Sequence, residues 1–158
     1  MKIRMGFVSN SSSASYIVNI IGINFYDFCD KIRSQYSFYD YFSVKQMKDR
    51  IDHLLERYSD TDENDAMSSF SKSFKEELEE QKDKLSKVDE DNFYEVAKFA
   101  LDFHQIGVKE ESGSIRLSSF TSMHNDFDSG MSDIMKELTL YFMFETKCKV
   151  VCEVEHNG

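Results

Sequence analysis

The sequence predicts an α+β protein in which a small antiparallel sheet, an N-terminal hairpin plus C-terminal strands, packs with about four to five helices. Three observations lead there. Both ends of the chain alternate apolar and polar residues with the period of a half-buried strand. The middle repeats apolar residues at three and four positions, the period of a helix. Strands and helices do not alternate regularly, as a doubly wound sheet would require. The length, 158 residues, predicts a single domain over 1–158. Leu, Ile, Val and Phe make up about a quarter of the chain, above the roughly one-fifth below which chains tend to stay unfolded. With no proline and no tryptophan, turns fall to Gly, Asn, Asp and Ser, and the 14 Phe and 8 Tyr supply much of the core.

Residues 2–8 place Ile3, Met5 and Phe7 on one side and Lys2, Arg4 and Gly6 on the other, which predicts a strand. A polar run, Ser9, Asn10, Ser11, Ser12 and Ser13, separates it from the β-branched run Tyr16 to Ile21, so a hairpin with a serine-rich loop is the simplest account. Asn24 is placed to cap a helix carrying Phe25, Phe28, Cys29 and Ile32. Ser43 and Gln46 make a capping-box pair ahead of the stripe Met47, Ile51, Leu54, Leu55 and Tyr58. After a hydrophilic break at 60–65, Met67, Phe70, Phe74, Leu78 and Leu85 mark a long helix. Asp91 or Asn92 starts another, through Phe93, Val96, Ala97, Ala100 and Phe103, with Gly107 as its terminating glycine.

Two extended runs flank Ser112 and Gly113 as a hairpin. Met131, Ile134, Met135, Leu138 and Phe142 form the face of a last helix, with Asp126 and Asp128 placed to cap it. In the final strand Cys148, Val150, Cys152 and Val154 alternate with Lys147, Lys149, Val151 and Glu153, so the two cysteines read as small core residues. Three cysteines in a reducing compartment predict no disulfide framework.

The balance of 19 basic against 29 acidic residues, net −10, argues against direct contact with nucleic acid or an anionic membrane, both of which would repel the molecule. No run approaches 18 apolar residues and the start lacks a signal-peptide pattern, so a soluble cytoplasmic protein is expected. Tyr36, Tyr39 and Tyr41 are accompanied by Asp40 rather than by a basic stripe, which also argues against nucleic acid.

No cofactor and no metal are expected. There is neither a P-loop nor a GxGxxG. Asp60, Asp62 and Asn64 open like a calcium loop, but Asp65 stands where glycine is needed and Ser71 where a bidentate glutamate is needed. Asp49, His53 and Glu56 share a helix face and read as solvated. Cys148 and Cys152 lack zinc-type spacing. Ser118, Ser119, Ser122, His124 and Asp126 supply the residue types of a nucleophile, base and acid without a GxSxG elbow, so no catalytic residue is assigned.

What stands out is charge. Between Asp60 and Glu95 there are 13 acids and 5 bases, which predicts a partner-binding surface of Asp60, Asp62, Glu63, Asp65, Glu76, Glu77, Glu79, Glu80 and Asp83 facing a protein with a basic surface. The rival reading is a small enzyme or phosphate-ligand binder, in which the hydroxyls and amides of Ser9, Asn10, Ser11, Ser12 and Ser13, a loop that could also be modified, work with His124 and Asp126. A virion or assembly component is a third.

The opening MKIRMGFVSNSSSASYIV resembles the GFVSNSSSSSF leader of small proteins encoded by tailed bacteriophages and related mobile elements. Ser119 to Asp128, SFTSMHNDFD, resembles a second phrase of the same proteins, roughly T-x-M-x-N-F-D-M. Ala14 and Tyr16 depart from the leader, and Asp126 intrudes in the second phrase. The resemblance implies a phage setting in a bacterial host and carries over no catalytic residue. Together with the acidic segment it leads to the expectation of a non-enzymatic module that binds, and modulates or inhibits, a host nucleic-acid-handling or CRISPR-type defence complex.

Overall fold

The structure, a computed structural model, describes residues 13–59, 68–122 and 132–156. In chain order they form β1 (Ser13–Ile21), α1 (Phe25–Arg33), a 3-10 turn (Tyr36–Phe38), α2 (Val44–Ser59), α3 (Ser68–Ser86), α4 (Phe93–Phe103), β2 (Ile106–Glu111), β3 (Ser114–Ser122), α5 (Asp133–Phe144) and β4 (Lys149–His156). The fold class is α+β, with five α-helices and a four-stranded antiparallel sheet among the described residues. No helix there is long and apolar enough to cross a membrane. The chain divides into two compact units, one of residues 1–31 with 104–158 and one of residues 32–103.

The first unit holds the sheet, ordered β2-β3-β1-β4. β1 is central: Ser13–Ile21 pairs with β3 along one edge, and Ala14–Ile21 with β4 along the other. The expected N-terminal hairpin rests on a first strand whose residues are not described. Residues 2–8 lie outside the described residues, while β1, the expected second strand, is paired on both edges by strands about 100 and 135 residues downstream. Ser13, expected in the loop, opens β1 opposite Ser122.

Directly opposed residues of an antiparallel ladder point to one side. The register therefore gathers Val18 and Ile20 of β1, Ile115 and Leu117 of β3 and Ile106 of β2 on one face, all buried. α1 and α5 cover this face. The Phe25 amide donates to Glu110 Oε2 of β2 at 2.8 Å, and Asn24 Oδ1 accepts from the Asp27 amide at 2.8 Å, so the expected Asn24 cap forms and a second-strand carboxylate assists it. Phe28 of α1 stacks on Phe142 of α5 with centroids 5.1 Å apart, and the Tyr141 hydroxyl donates to the Lys31 carbonyl at 3.4 Å. Ile134, Met135, Leu138 and Phe142 are all buried, as their spacing predicts. On the opposite face Ile17 is only 2% exposed; Arg116 and Glu155, 3.9 Å apart, reach towards each other from β3 and β4 on either side of it.

Three local expectations change. Gly107 does not end α4: it lies in β2 opposite Ser118, where an added Cβ would stand 2.7 Å from the serine Oγ. The left-handed residue after α4 is Gln105, with φ of 63°. Ser132 caps α5, its Oγ accepting from the Met135 amide at 3.3 Å, while Asp126 and Asp128 lie outside the described residues. Cys152 is exposed and Cys148 half-buried, so neither is a core residue; the buried cysteine is Cys29. Period two says which side chains share a face, but not whether that face is covered, and β4 is an edge strand.

The second unit is helical. α2 packs on α3 and on α4. Ser43 Oγ accepts from the Gln46 amide at 3.3 Å, and Asn92 Oδ1 from the Tyr94 and Glu95 amides at 3.1 and 3.4 Å, fixing the starts of α2 and α4. Met47, Ile51, Leu78, Leu85, Val96, Ala97, Ala100 and Leu101 are buried.

Removing the fully buried ring of Phe142, Phe142→Ala, should cost about 3–5 kcal/mol in chemical denaturation, because it leaves a cavity and deletes the Phe28 stack. Ser119 is buried opposite Ile106, and its Oγ has no hydrogen-bond partner among the described residues. Ser119→Ala should accordingly raise stability by about 1 kcal/mol, and a loss in the same measurement would mean that the hydroxyl is bonded.

Candidate binding surface

The acidic surface read from the sequence divides into a described and an undescribed part. Asp60, Asp62, Glu63 and Asp65 lie outside the described residues, as do Ser9, Asn10, Ser11, Ser12, His124 and Asp126. Glu76, Glu77, Glu79, Glu80 and Asp83 are all exposed on α3.

The helix neutralises part of this charge. Lys84 holds Glu80 at 3.1 Å and Lys87 holds Asp83 at 3.1 Å, both one helical turn apart, while Lys82 reaches Asp52 of α2 at 2.7 Å. α3 carries five acids and four lysines, so most of the excess between Asp60 and Glu95 falls elsewhere. Glu76, Glu77 and Glu79 make no ion pair among the described residues and are the carboxylates of α3 open to a cationic partner.

A hollow that the sequence did not single out lies between α1 and α4 in the second unit. The chain leaves α1 at Arg33 and turns at once into the 3-10 helix, where residues three apart eclipse. That geometry sets Tyr36 and Tyr39 face to face, centroids 6.5 Å apart and planes within 11°. Both point outward, Tyr36 92% and Tyr39 66% exposed, an unusual position for two large aromatic side chains. Beside them is a cavity of about 380 Å³ lined by Arg33, Gln35, Tyr36, Tyr39, Phe42 and Phe93. The Arg33 guanidinium sits 5.5 Å from the centroid of Phe93, and Phe42 lies 6.1 Å from the same ring. Arg33 makes no ion pair among the described residues.

The lining offers one cation, hydroxyls, an amide and aromatic faces, the equipment for holding a side chain or a planar ligand. The signal was present as Arg33 followed by the aromatic run Tyr36 to Phe42. Read as a stacking strip for nucleic acid, it lacked basic residues; the 3-10 geometry that pairs the rings is not visible in residue spacing alone.

A second hollow of about 380 Å³ lies where α2, α3 and the following loop meet, lined by Lys48, Lys82, Ser86 and Glu90 around Leu85 and Val88. Its Lys82 is engaged by Asp52. Asp49, His53 and Glu56 of α2 are exposed, and among the described residues no three His, Cys, Asp or Glu converge on a metal site. Ser118 and Ser119 are strand residues of β3. Comparison with protein-family models, with curated proteins and with solved structures finds no match to this chain.

The thiols differ in accessibility. Partial burial pushes the Cys152 thiol above its ordinary value, so at a given pH less of it is thiolate than in free cysteine. Alkylation of the native protein should label Cys152 with a pH midpoint above that of free cysteine and leave Cys29 unmodified until denaturant is added. Labelling of Cys29 in the native state would show that the helix layer opens.

Proposed function

We propose that the protein is a non-catalytic binding module that anchors a partner protein on the Tyr36–Tyr39 pair and steers it electrostatically with α3. The observation that carries this is the stacked, outward-facing tyrosine pair at the rim of a cavity lined by Arg33 and Phe93. Tyrosine and arginine dominate the energetic centres of protein interfaces, because they bury much area at small entropic cost and keep a polar end for hydrogen bonding. The unpaired Glu76, Glu77 and Glu79 suit a partner with a basic surface, by raising the rate of encounter more than the final affinity.

The leader resemblance supports a phage setting for such a module, acting in an infected bacterial cell. A host complex that handles nucleic acid, including a CRISPR-type defence complex, presents the required cationic surface. Carboxylates that occupy a groove built for phosphates inhibit it by competition. The phosphate-ligand alternative is favoured by one observation, the Arg33 guanidinium beside aromatic faces in the same cavity. A shift in melting temperature with nucleotides or aryl phosphates, abolished by Arg33→Ala, would support that alternative.

Affinity capture from host lysate should retain a specific partner at low salt and release it at high salt. Tyr36→Ala with Tyr39→Ala should weaken capture by at least about 30-fold, roughly 2 kcal/mol. Lys at Glu76, Glu77 and Glu79 should chiefly slow association. Full binding by the tyrosine variant would remove the pocket from the interface, and indifference to salt would remove α3.

A further inference from the structure

We propose that β4 pairs with β4 of a second copy of this chain, antiparallel about a two-fold axis through Val151, joining two four-stranded sheets into one. Among the described strands β4 is hydrogen-bonded to β1 on one side and to none on the other, so it presents a row of backbone donors and acceptors. Exposed edges of this kind are blunted by charge, bulges or cover, or else they are used for pairing.

The side chains of β4 favour use over protection. Its positive charge lies at its beginning, Lys149, with Lys147 two residues before it, and its negative charges towards its end, Glu153 and Glu155. When the strand runs against itself with Val151 facing Val151, Lys149 opposes Glu153 and Val150 opposes Cys152. Continued two residues back from the strand start, Cys148 opposes Val154 and Lys147 opposes Glu155. Each of these pairs occurs twice by symmetry. Every Lys then meets a Glu on the face turned away from α1 and α5, where Val151 also meets Val151, and Cys148, Val150, Cys152 and Val154 meet one another on the helix side. A slip of two residues, which centres the pairing on Cys152, sets Val151 against Glu153 and loses half of the matched charges.

The exposures fit. Lys149, Cys152, Glu153 and Glu155 are exposed and Val154, on the helix side, is 46% exposed. α5 packs on β4, and its last turn carries the exposed Met143 and Phe144, the latter 74% exposed. Exposed apolar area therefore accompanies the edge. The other edge, β2, has no such symmetry: its charges Lys109, Glu110 and Glu111 are adjacent, and Glu110 is committed to the Phe25 amide.

The test is a pair of complementary chains studied by analytical ultracentrifugation under reducing conditions. One carries Lys147→Glu and Lys149→Glu, the other Glu153→Lys and Glu155→Lys, and thermal melts confirm that each folds. Wild type should show a monomer–dimer equilibrium. Each variant alone should weaken it by at least about tenfold, since every charge pair becomes repulsive. An equimolar mixture should restore association as a heterodimer. Because Glu155 also approaches Arg116, Lys149→Glu against Glu153→Lys repeats the experiment without touching it. Val151→Cys with Cys148→Ser and Cys152→Ser should form an intersubunit disulfide on mild oxidation.

A wild-type chain monomeric into the high micromolar range, as it would be if its own residues capped β4, overturns the proposal. So does a dimer indifferent to both charge variants, or a mixture that fails to associate. None of these outcomes bears on the tyrosine pocket.

Discussion

β1 is the constraint on which the first unit depends. It is hydrogen-bonded on both edges, and it buries Val18 and Ile20 on one face and Ile17 on the other. A strand in that position cannot leave a backbone amide unpaired without the cost of a buried unsatisfied group, so β3 and β4 have to be in place before β1 is stable. Both partners are far away in sequence. Such pairing is slow to find and strongly cooperative once found, which ties the two ends of the chain into one unit.

The helix layer follows from the sheet. Period-two burial on β1 and β3 leaves one apolar face, and α1 and α5 are the amphipathic elements that close it, locked together by the Phe28–Phe142 stack. Glu110 is the junction between layers, a strand carboxylate satisfying the first amide of α1 while Asn24 satisfies another. The layer does not extend evenly over β4. Cys152 and Val154 remain outside it, which is why two residues with the spacing of core positions end up at the surface.

In the second unit the same distinction separates net charge from usable charge. Counting acids along a segment treats each as independent, but a helix sets residues four apart side by side, and Lys84 and Lys87 take up Glu80 and Asp83. On α3 what remains open is a short group at Glu76, Glu77 and Glu79. The tyrosine pair arises from local geometry in the opposite sense: an ordinary aromatic run becomes a stacked, exposed platform because three residues per turn bring positions 36 and 39 into register.

The sequence by itself determined the element types and most of their starts, because capping residues such as Asn24, Ser43 and Asn92 and the apolar periods act within a few residues of chain. It also determined the antiparallel α+β class. Only the tertiary structure decided that β1 is central, between β3 and β4, that Gly107 serves a close strand approach rather than a helix end, and that Cys152 faces solvent. These outcomes depend on which distant segment fills each edge and covers each face. That is settled by competition among contacts a hundred residues apart, and no local pattern of side chains records it.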